Sequence, residues 1–502
     1  MKPCLLFVVL ACFGGFCAAQ NVGIGTTTPE ASAQLDVSST QKGILFPRVT
    51  TAQRNAIISP AAGLMVFDTE KNLPYYFNGR KWTALGPIAA NEVQPVESPG
   101  ISTTYMEFGS SAAMAGSYAA VGIRGFDTAG LTNVGAVRLY QKTNSGWKPF
   151  QMIIPPDGAN SDQFGASMDM QGDYLVVGAP GKTILTVSGA GKVYVYKLNT
   201  TLGEYVLEGQ LTHPLGNGTN MNFGYSVTIT NKSTITNGIA VAAGAPRYQI
   251  NGVPLGTVSV FRRGNTGNYI FVNNISGIKS GEFFGYSIDM DADLLAVGAP
   301  LYDTIVATAA KESAGRVQMN VFNGSSYVFE RTLAVSPDTF TRMGFTVALD
   351  SNHVVYAGIS HDDDTNGFIA SLQRTGTNVY SSSQTFPDLH RLYETDVTKS
   401  IMGYKLAISK KLVLAGVPHS YSLITSFAQD LRADYAVLFQ KTFSPLRMTT
   451  YAQLKTPNLV AANSNFGIAV AASGSDYMIC MPNATGTDGD TFGSVFFGSI
   501  DE

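Results

Sequence analysis

The phrase Phe-Gly-x-Ser, answered a strand-length later by Val-Gly-Ala-Pro, recurs along most of this chain and limits what it can fold into. Aligned on that phrase, the sequence has seven starts: Phe108-Gly109, Phe164-Gly165, Phe223-Gly224, Phe284-Gly285, Met343-Gly344, Met402-Gly403 and Phe466-Gly467. Successive starts lie 56 to 64 residues apart by their residue numbers. A period of that size makes each unit one supersecondary element, able to bury its apolar face only against its neighbours.

Each unit holds four strand-like runs. In the second unit they are FGASMDM, YLVVGAP, GKVYVYKL and YVLEGQL; in the fourth, FGYSIDM, LLAVGAP, GRVQMNVF and YVFERTL. The runs are aromatic, β-branched and period-two, and Gly, Pro and Asp punctuate them. Four antiparallel strands per unit describe one propeller blade, so the predicted fold is all-β: a seven-bladed β-propeller of four-stranded antiparallel blades over residues 88–502. The last unit stops after its third strand, GSVFFGSI, so a closed ring must borrow a fourth strand from before Phe108. KWTALGP and ANEVQPVE are the two candidates.

The motif residues suit such a ring. Gly109, Gly165, Gly224 and Gly285 remove a side chain where inner strands crowd together, and the adjacent Phe can wedge between blades. Ser111, Ser167, Ser226, Ser287 and Thr346 are small enough for a narrow centre. Pro180, Pro246 and Pro300 end the second strand, where no ladder bond is lost. FGxS with VGAP at this spacing resembles the FG-GAP repeats of the integrin α-subunit propeller and its bacterial relatives. The resemblance covers roughly residues 100–502 and fades in the units that read Gly122-Ile123, Gly358-Ile359, Gly416-Val417-Pro418 and Met481-Pro482.

Residues 20–87 do not share the repeat. GIGTTTP, LDV and YYFNGRKW resemble a module found near the N-termini of secreted Bacteroidetes proteins and of tail-fibre-like stalks. The resemblance implies trimerisation around a shared β core; the segment is short, and a small N-terminal β-module or linker is the simpler reading. A short helix is expected over Thr51–Ile57, capped by Thr50. Ahead of it, residues 1–19 read as a secretory signal peptide: Lys2, an apolar run to Phe16, then Cys17-Ala18-Ala19. A lipid-anchored reading at Cys12 leaves a much shorter apolar run. No later stretch reaches the roughly 18 apolar residues of a membrane span. The expected location is therefore secreted, extracellular or at the cell surface.

Removal of such a leader leaves Cys480 as the lone cysteine, so packing must supply all the stability. With 14% charged residues and a net charge of −3, the chain offers no polybasic stripe for nucleic acid.

FG-GAP relatives often carry a calcium loop between the first two strands, but here it has shrunk to Gln171-Gly172-Asp173 or Asp291-Ala292-Asp293, too short to wrap an ion. Asp362, Asp364 and Asn366 begin a D-x-D-x-N-G pattern that lacks a closing carboxylate, since Ala370 and Gln373 follow. A solvated turn is the simpler reading, and weak Ca²⁺ binding the sharper one; Asp488 and Asp490 are read likewise. No cofactor is expected. The histidines show no H-E-x-x-H pair and no G-x-S-x-G elbow is present. Asp169 and Asp289 recur at one place, where bonding to turn backbone outweighs acid–base work. Lys405 replaces the small hydroxyl of other blades and reads as a snorkelling surface lysine before a binding group.

Loops on one propeller face are free to vary, and the candidate ligand-binding residues there are Arg247, Tyr248, Tyr302, His361, His419 and Tyr421. The function expected is a non-enzymatic binding or adhesion module for an extracellular protein or glycan. A polysaccharide-active enzyme and a structural component of a surface fibre are the alternatives.

Overall fold

The structure, a computed structural model, describes residues 21–70, 73–77, 79, 82–84, 94–96, 107–128, 130–144, 146–216, 218–235, 238–306, 309–333, 342–351, 353–358, 368–386, 403–418, 435–443, 446–455, 465–482 and 493–500. The leader expected at residues 1–19 lies outside them. The chain divides into two compact units, residues 1–88 and 89–502.

In the first unit, Val22–Ile24 pairs in parallel with Leu35–Val37. A separate four-stranded sheet runs Arg48–Val49, Met65–Asp68, Leu73–Phe77 and Trp82–Ala84. The expected helix forms over Thr51–Asn55, with Thr50 and Gln53 making a reciprocal capping box. Arg54 anchors it, with its guanidinium 3.2 Å from the buried Asp68 carboxylate and 3.9 Å from the centre of the Tyr75 ring. Trp82–Ala84 belongs to this sheet, so KWTALGP is not the strand that completes the last repeat.

The second unit is all-β. Among the described residues it contains seven four-stranded antiparallel sheets, one for each repeat. Sheet two shows the plan, with strands Ser167–Gln171, Tyr174–Ala179, Lys192–Asn199 and Glu204–Leu211 in that order. Sheet seven consists of Ala469–Ser473, Asp476–Met481, Ser494–Ser499 and, as its fourth strand, Gln94–Val96. That strand lies in ANEVQPVE, and Val495, Phe496 and Phe497 pair with Val96, Pro95 and Gln94.

Alternation is lost in the second strands because both their faces are covered. Tyr174–Ala179, Ala240–Ala245, Leu294–Ala299 and Leu412–Val417 are buried at every residue. Seven apolar clusters each draw on two consecutive sheets. The cluster that holds Phe108 and Val121 joins sheet one to Met478 and Val495 of sheet seven. Motif residues Phe164, Phe223, Phe284 and Phe466 are fully buried within these seams, as the wedging role requires. A bulge recurs between third and fourth strands, as at Leu139/Tyr140, Val195/Tyr196 and Val260/Phe261, and adds twist there.

The repeated glycines have a direct steric cause. A Cβ on Gly178 would sit 2.1 Å from the Gly224 carbonyl oxygen, and one on Gly244 2.2 Å from that of Gly285. The Val-Gly-Ala-Pro glycine of one sheet is thus the seat for the Phe-Gly carbonyl of the next. The motif serine fastens the same oxygen: Ser167 Oγ donates to Gly224 O at 2.7 Å, Ser226 to Gly285 at 2.7 Å and Ser287 to Gly344 at 2.7 Å. This role goes beyond mere smallness. It also shifts two alignments. Thr346 pairs with Ala357, so Ala357 rather than Gly358 occupies the glycine position of sheet five. Ala469 pairs with Cys480, so Cys480 also stands at that position, where its Cβ would lie 2.9 Å from a Cβ built on Gly109.

Two kinds of outer latch alternate between the first five sheets. Gln151 exchanges hydrogen bonds with the Tyr205 backbone, and Asn273 does so with Tyr327. In between, Glu208 holds Arg263 and Tyr269, while Glu330 holds Arg374 and Tyr380.

Candidate functional site

The first strands of consecutive sheets pack side by side, and that of sheet seven packs against that of sheet one. Where they converge lies a cavity of about 590 Å³ to which all seven sheets contribute lining residues. Its walls differ in chemistry. One is an arc of four aromatic rings, Tyr225, Tyr286, Phe345 and Tyr404, with successive centroids 5.1, 5.1 and 5.3 Å apart. These residues are all the x of Phe-Gly-x-Ser in sheets three to six. Ser110, Ala166 and Ile468 fill that place in the other sheets, so the arc stops there.

The facing wall is polar. Glu107, Gln163, Asn222 and Asn465 each immediately precede a motif Phe, and their φ values are 51°, 56°, 57° and 56°. A left-handed residue at that place turns the chain into the Phe-Gly corner, and Asn tolerates it better than most. Arg124 is tied to Glu107, its Nη2 donating to Oε1 at 3.1 Å. Arg247 is exposed on the rim with its guanidinium 5.7 Å from the centre of the Phe283 ring.

The floor is made by Ser111, Ser167, Ser226, Ser287, Thr346 and Lys405. Lys405 faces this cavity. It retains solvent contact there while protein surrounds it, and burial lowers its pKa against the upward pull of Asp289 and Asp169.

Beneath the floor lies a bonded acid pair. Asp169 accepts from the backbone N–H of Ile229 at 2.8 Å, and Asp289 from that of Leu349 at 2.7 Å. Each carboxylate therefore clamps the first strand of the following sheet, where the sequence suggested a turn. Thr228 Oγ1 lies 2.9 Å from Asp169 Oδ2 and 3.2 Å from Asp289 Oδ1. One hydroxyl proton serves one carboxylate, so the second contact is a good hydrogen bond only when the other acid is protonated. Burial raises both acids above the usual carboxylate range, and Asp289 rises further beside Asp169.

The candidates named from sequence are scattered. Arg247 lines the cavity. Tyr248 packs in a seam against the His213 ring, 4.2 Å between centroids. Tyr302 lies in another seam, with the Arg316 guanidinium 4.9 Å from its ring centre. His361, Asp362, Asp364, Asn366, His419, Tyr421, Asp488 and Asp490 lie outside the described residues. Among the described residues no three His, Cys, Asp or Glu side chains gather to hold a metal ion. His213 and His353 are buried, and burial lowers each to about 4, which makes them neutral packing groups. Cys480 is buried and its thiol is pushed up by that burial. No helix among the described residues is long and apolar enough to cross a membrane.

The aromatic arc is the feature that sequence reasoning missed. Its signal was present: an aromatic at one motif offset in four successive repeats.

Comparison with known proteins bears on both units. Residues 23–103 match the family described as phage tail like trimerisation region, and residues 147–196 match the FG-GAP repeat. No curated protein matches the chain. Among solved structures it is similar to a candidate 6-phosphogluconolactonase from Bacteroides fragilis, at 10% identity over 80% of this chain and 93% of that one, with a TM-score of 0.43. A likeness that low carries no argument about activity. Residues 147–196 thus carry a match to the FG-GAP repeat within an all-β unit of four-stranded antiparallel sheets, and residues 23–103 match the phage-tail-like trimerisation family.

Proposed function

We propose that this chain is a secreted or surface-exposed, non-enzymatic β-propeller that binds an extracellular protein or glycan in its central cavity. The ring reading is supported by seven seams that run from sheet to sheet and return from the seventh to the first. Gln94–Val96, as the fourth strand of sheet seven, supports closure of the ring between the two ends of the repeat region. A closed ring leaves its strand edges short and protected.

One observation carries the binding reading: a cavity of about 590 Å³ whose lining is aromatic on one side and amide-rich on the other. Its volume falls within the roughly 300–1,000 Å³ of small-molecule sites. The buried acid pair is what favours an enzyme. Against it, Asp169 and Asp289 accept a backbone N–H group on each oxygen, which commits both carboxylates to holding strands in place.

Assembly as a homotrimer through the N-terminal region is part of the same reading. That region leaves Val22, Ile24, Leu35, Leu45 and Ile58 between 55% and 90% exposed, more apolar surface than a short solvated module needs. Three cavities on one particle would bind a multivalent surface far better than one. A purely structural fibre role would keep the trimer and dispense with the cavity.

The test is a binding screen of the full chain against glycans and extracellular proteins, repeated with a Tyr225→Ala/Tyr404→Ala variant. Loss of binding in the variant, with an unchanged melting temperature, is the expected result. Undiminished binding would place the ligand elsewhere and refute the reading.

A further inference from the structure

The cavity carries an asymmetry of charge that narrows its ligand. Two arginines reach it, and they are in different states. Arg124 is neutralised by Glu107 at the same rim. Arg247 makes no hydrogen bond or ion pair among the described residues; its guanidinium only overhangs the Phe283 ring. Lys405 adds a second cationic group at the floor. The acids nearest to it, Asp169 and Asp289, lie a layer deeper and spend their oxygens on backbone donors of neighbouring sheets. Among the described residues, a ligand entering from the rim therefore meets one cation without an acid partner, Arg247, above a lysine that Asp289 and Asp169 offset from below.

The aromatic arc supplies the other constraint. Tyr225, Tyr286, Phe345 and Tyr404 are tilted by 45° to 51° from ring to ring and form a curved apolar wall. Sugar rings combine an apolar C–H face, which rests on such a wall, with equatorial hydroxyls that need amide partners. Gln163, from sheet two and outside the arc, lines the cavity and brings an amide to it. A guanidinium recognises a carboxylate in a paired, planar geometry that an ammonium does not match.

Resting on the reading of this cavity as the binding site, we propose that it takes the end of an acidic oligosaccharide. The sugar carboxylate meets Arg247, the ring faces lie along Tyr225 to Tyr404, and Lys405 closes the site beneath.

The experiment is calorimetric titration of the full chain with an oligogalacturonate tetramer, its carboxyl-reduced neutral analogue and a Glu-rich peptide. Each titration is repeated with Arg247→Gln and Tyr225→Ala, both at exposed positions. The expected result is binding of the uronate at least about tenfold tighter than that of the reduced analogue, a charge-assisted bidentate contact being worth that much. Arg247→Gln should erase that difference, and Tyr225→Ala should weaken both sugars. Equal binding of both sugars, untouched by Arg247→Gln but weakened by Tyr225→Ala, would overturn the acidic assignment and leave the cavity as a binding site. Binding of the peptide alone, weakened by Tyr225→Ala, would overturn the sugar class. Binding of any probe that neither variant affects would overturn the assignment together with the cavity reading on which it rests.

Discussion

Replacing Gly178 by alanine tests whether the repeated glycine is there for the reason the seams suggest. The added methyl carbon would lie 2.1 Å from the Gly224 carbonyl oxygen and 2.3 Å from Ser167 Oγ, where ordinary contact begins near 3.4 Å. One obstacle is backbone; the other is a hydroxyl already donating to that same carbonyl at 2.7 Å. Sheets two and three must part by about 1 Å to admit it. That breaks a hydrogen bond worth about 1 kcal/mol and overpacks a closed seam at about 1–3 kcal/mol, for a total of roughly 2–4 kcal/mol. Gly203→Ala is the control: φ is +70° there, but nothing lies within 4 Å, so only about 1 kcal/mol of backbone strain applies. Equilibrium urea unfolding followed by circular dichroism reads the difference. With a slope of about 3 kcal/mol per molar, Gly178→Ala should lower the midpoint by roughly 1 M. A loss no larger than that of Gly203→Ala would refute the steric argument.

Three further outcomes are expected. Asp169, raised to about 6, and Asp289, raised to about 8, hold protons more tightly folded than unfolded, so their contribution is full below about pH 4 and is lost as pH rises through 8. Buried His213 and His353, lowered to about 4, oppose it below 6.5, so the net fall in stability should appear between about pH 6.5 and 8. Asp289→Asn should flatten the upper part of that fall in urea midpoints taken at pH 5, 7 and 9. Glu330→Gln should cost about 2–3 kcal/mol in urea, because it leaves Arg374 without its partner in a latch whose Glu330 side chain is 2% exposed. Light scattering of the full chain should give three times its monomer mass, and Ile24→Asp, at an exposed apolar position, should reduce that to one without lowering the melting temperature.

The repeat was legible because its residues answer to local sterics. Glycine at position 178 and serine at 167 are demanded by one carbonyl oxygen, and the same demand recurs wherever one sheet meets the next. The missing fourth strand was legible by counting, although choosing between its two candidates required the pairing of Trp82–Ala84 in the other unit. The site was harder to read. Tyr225, Tyr286, Phe345 and Tyr404 occupy a position the motif leaves open, and their meaning appears only when four sheets bring them to one wall. The same closure turned Asp169 and Asp289 from turn residues into clamps on the next sheet, since sixty residues of sequence separate each from its partner. Tyr248 and Tyr302 looked exposed by loop position, yet the seams use them as packing groups.

Hydrogen exchange across Ser494–Ser499 tests ring closure most directly. If Gln94–Val96 completes sheet seven, the strand has a partner on each side and all its amides between Val495 and Phe497 should resist exchange as long as those of Asp476–Met481 do. An unpartnered edge strand points alternate N–H groups into water, and those exchange within seconds to minutes. Full protection of that segment, shared by Gln94–Val96, is the result expected of a closed ring. Rapid loss of about half its amides would mean that the ring is open at that sheet.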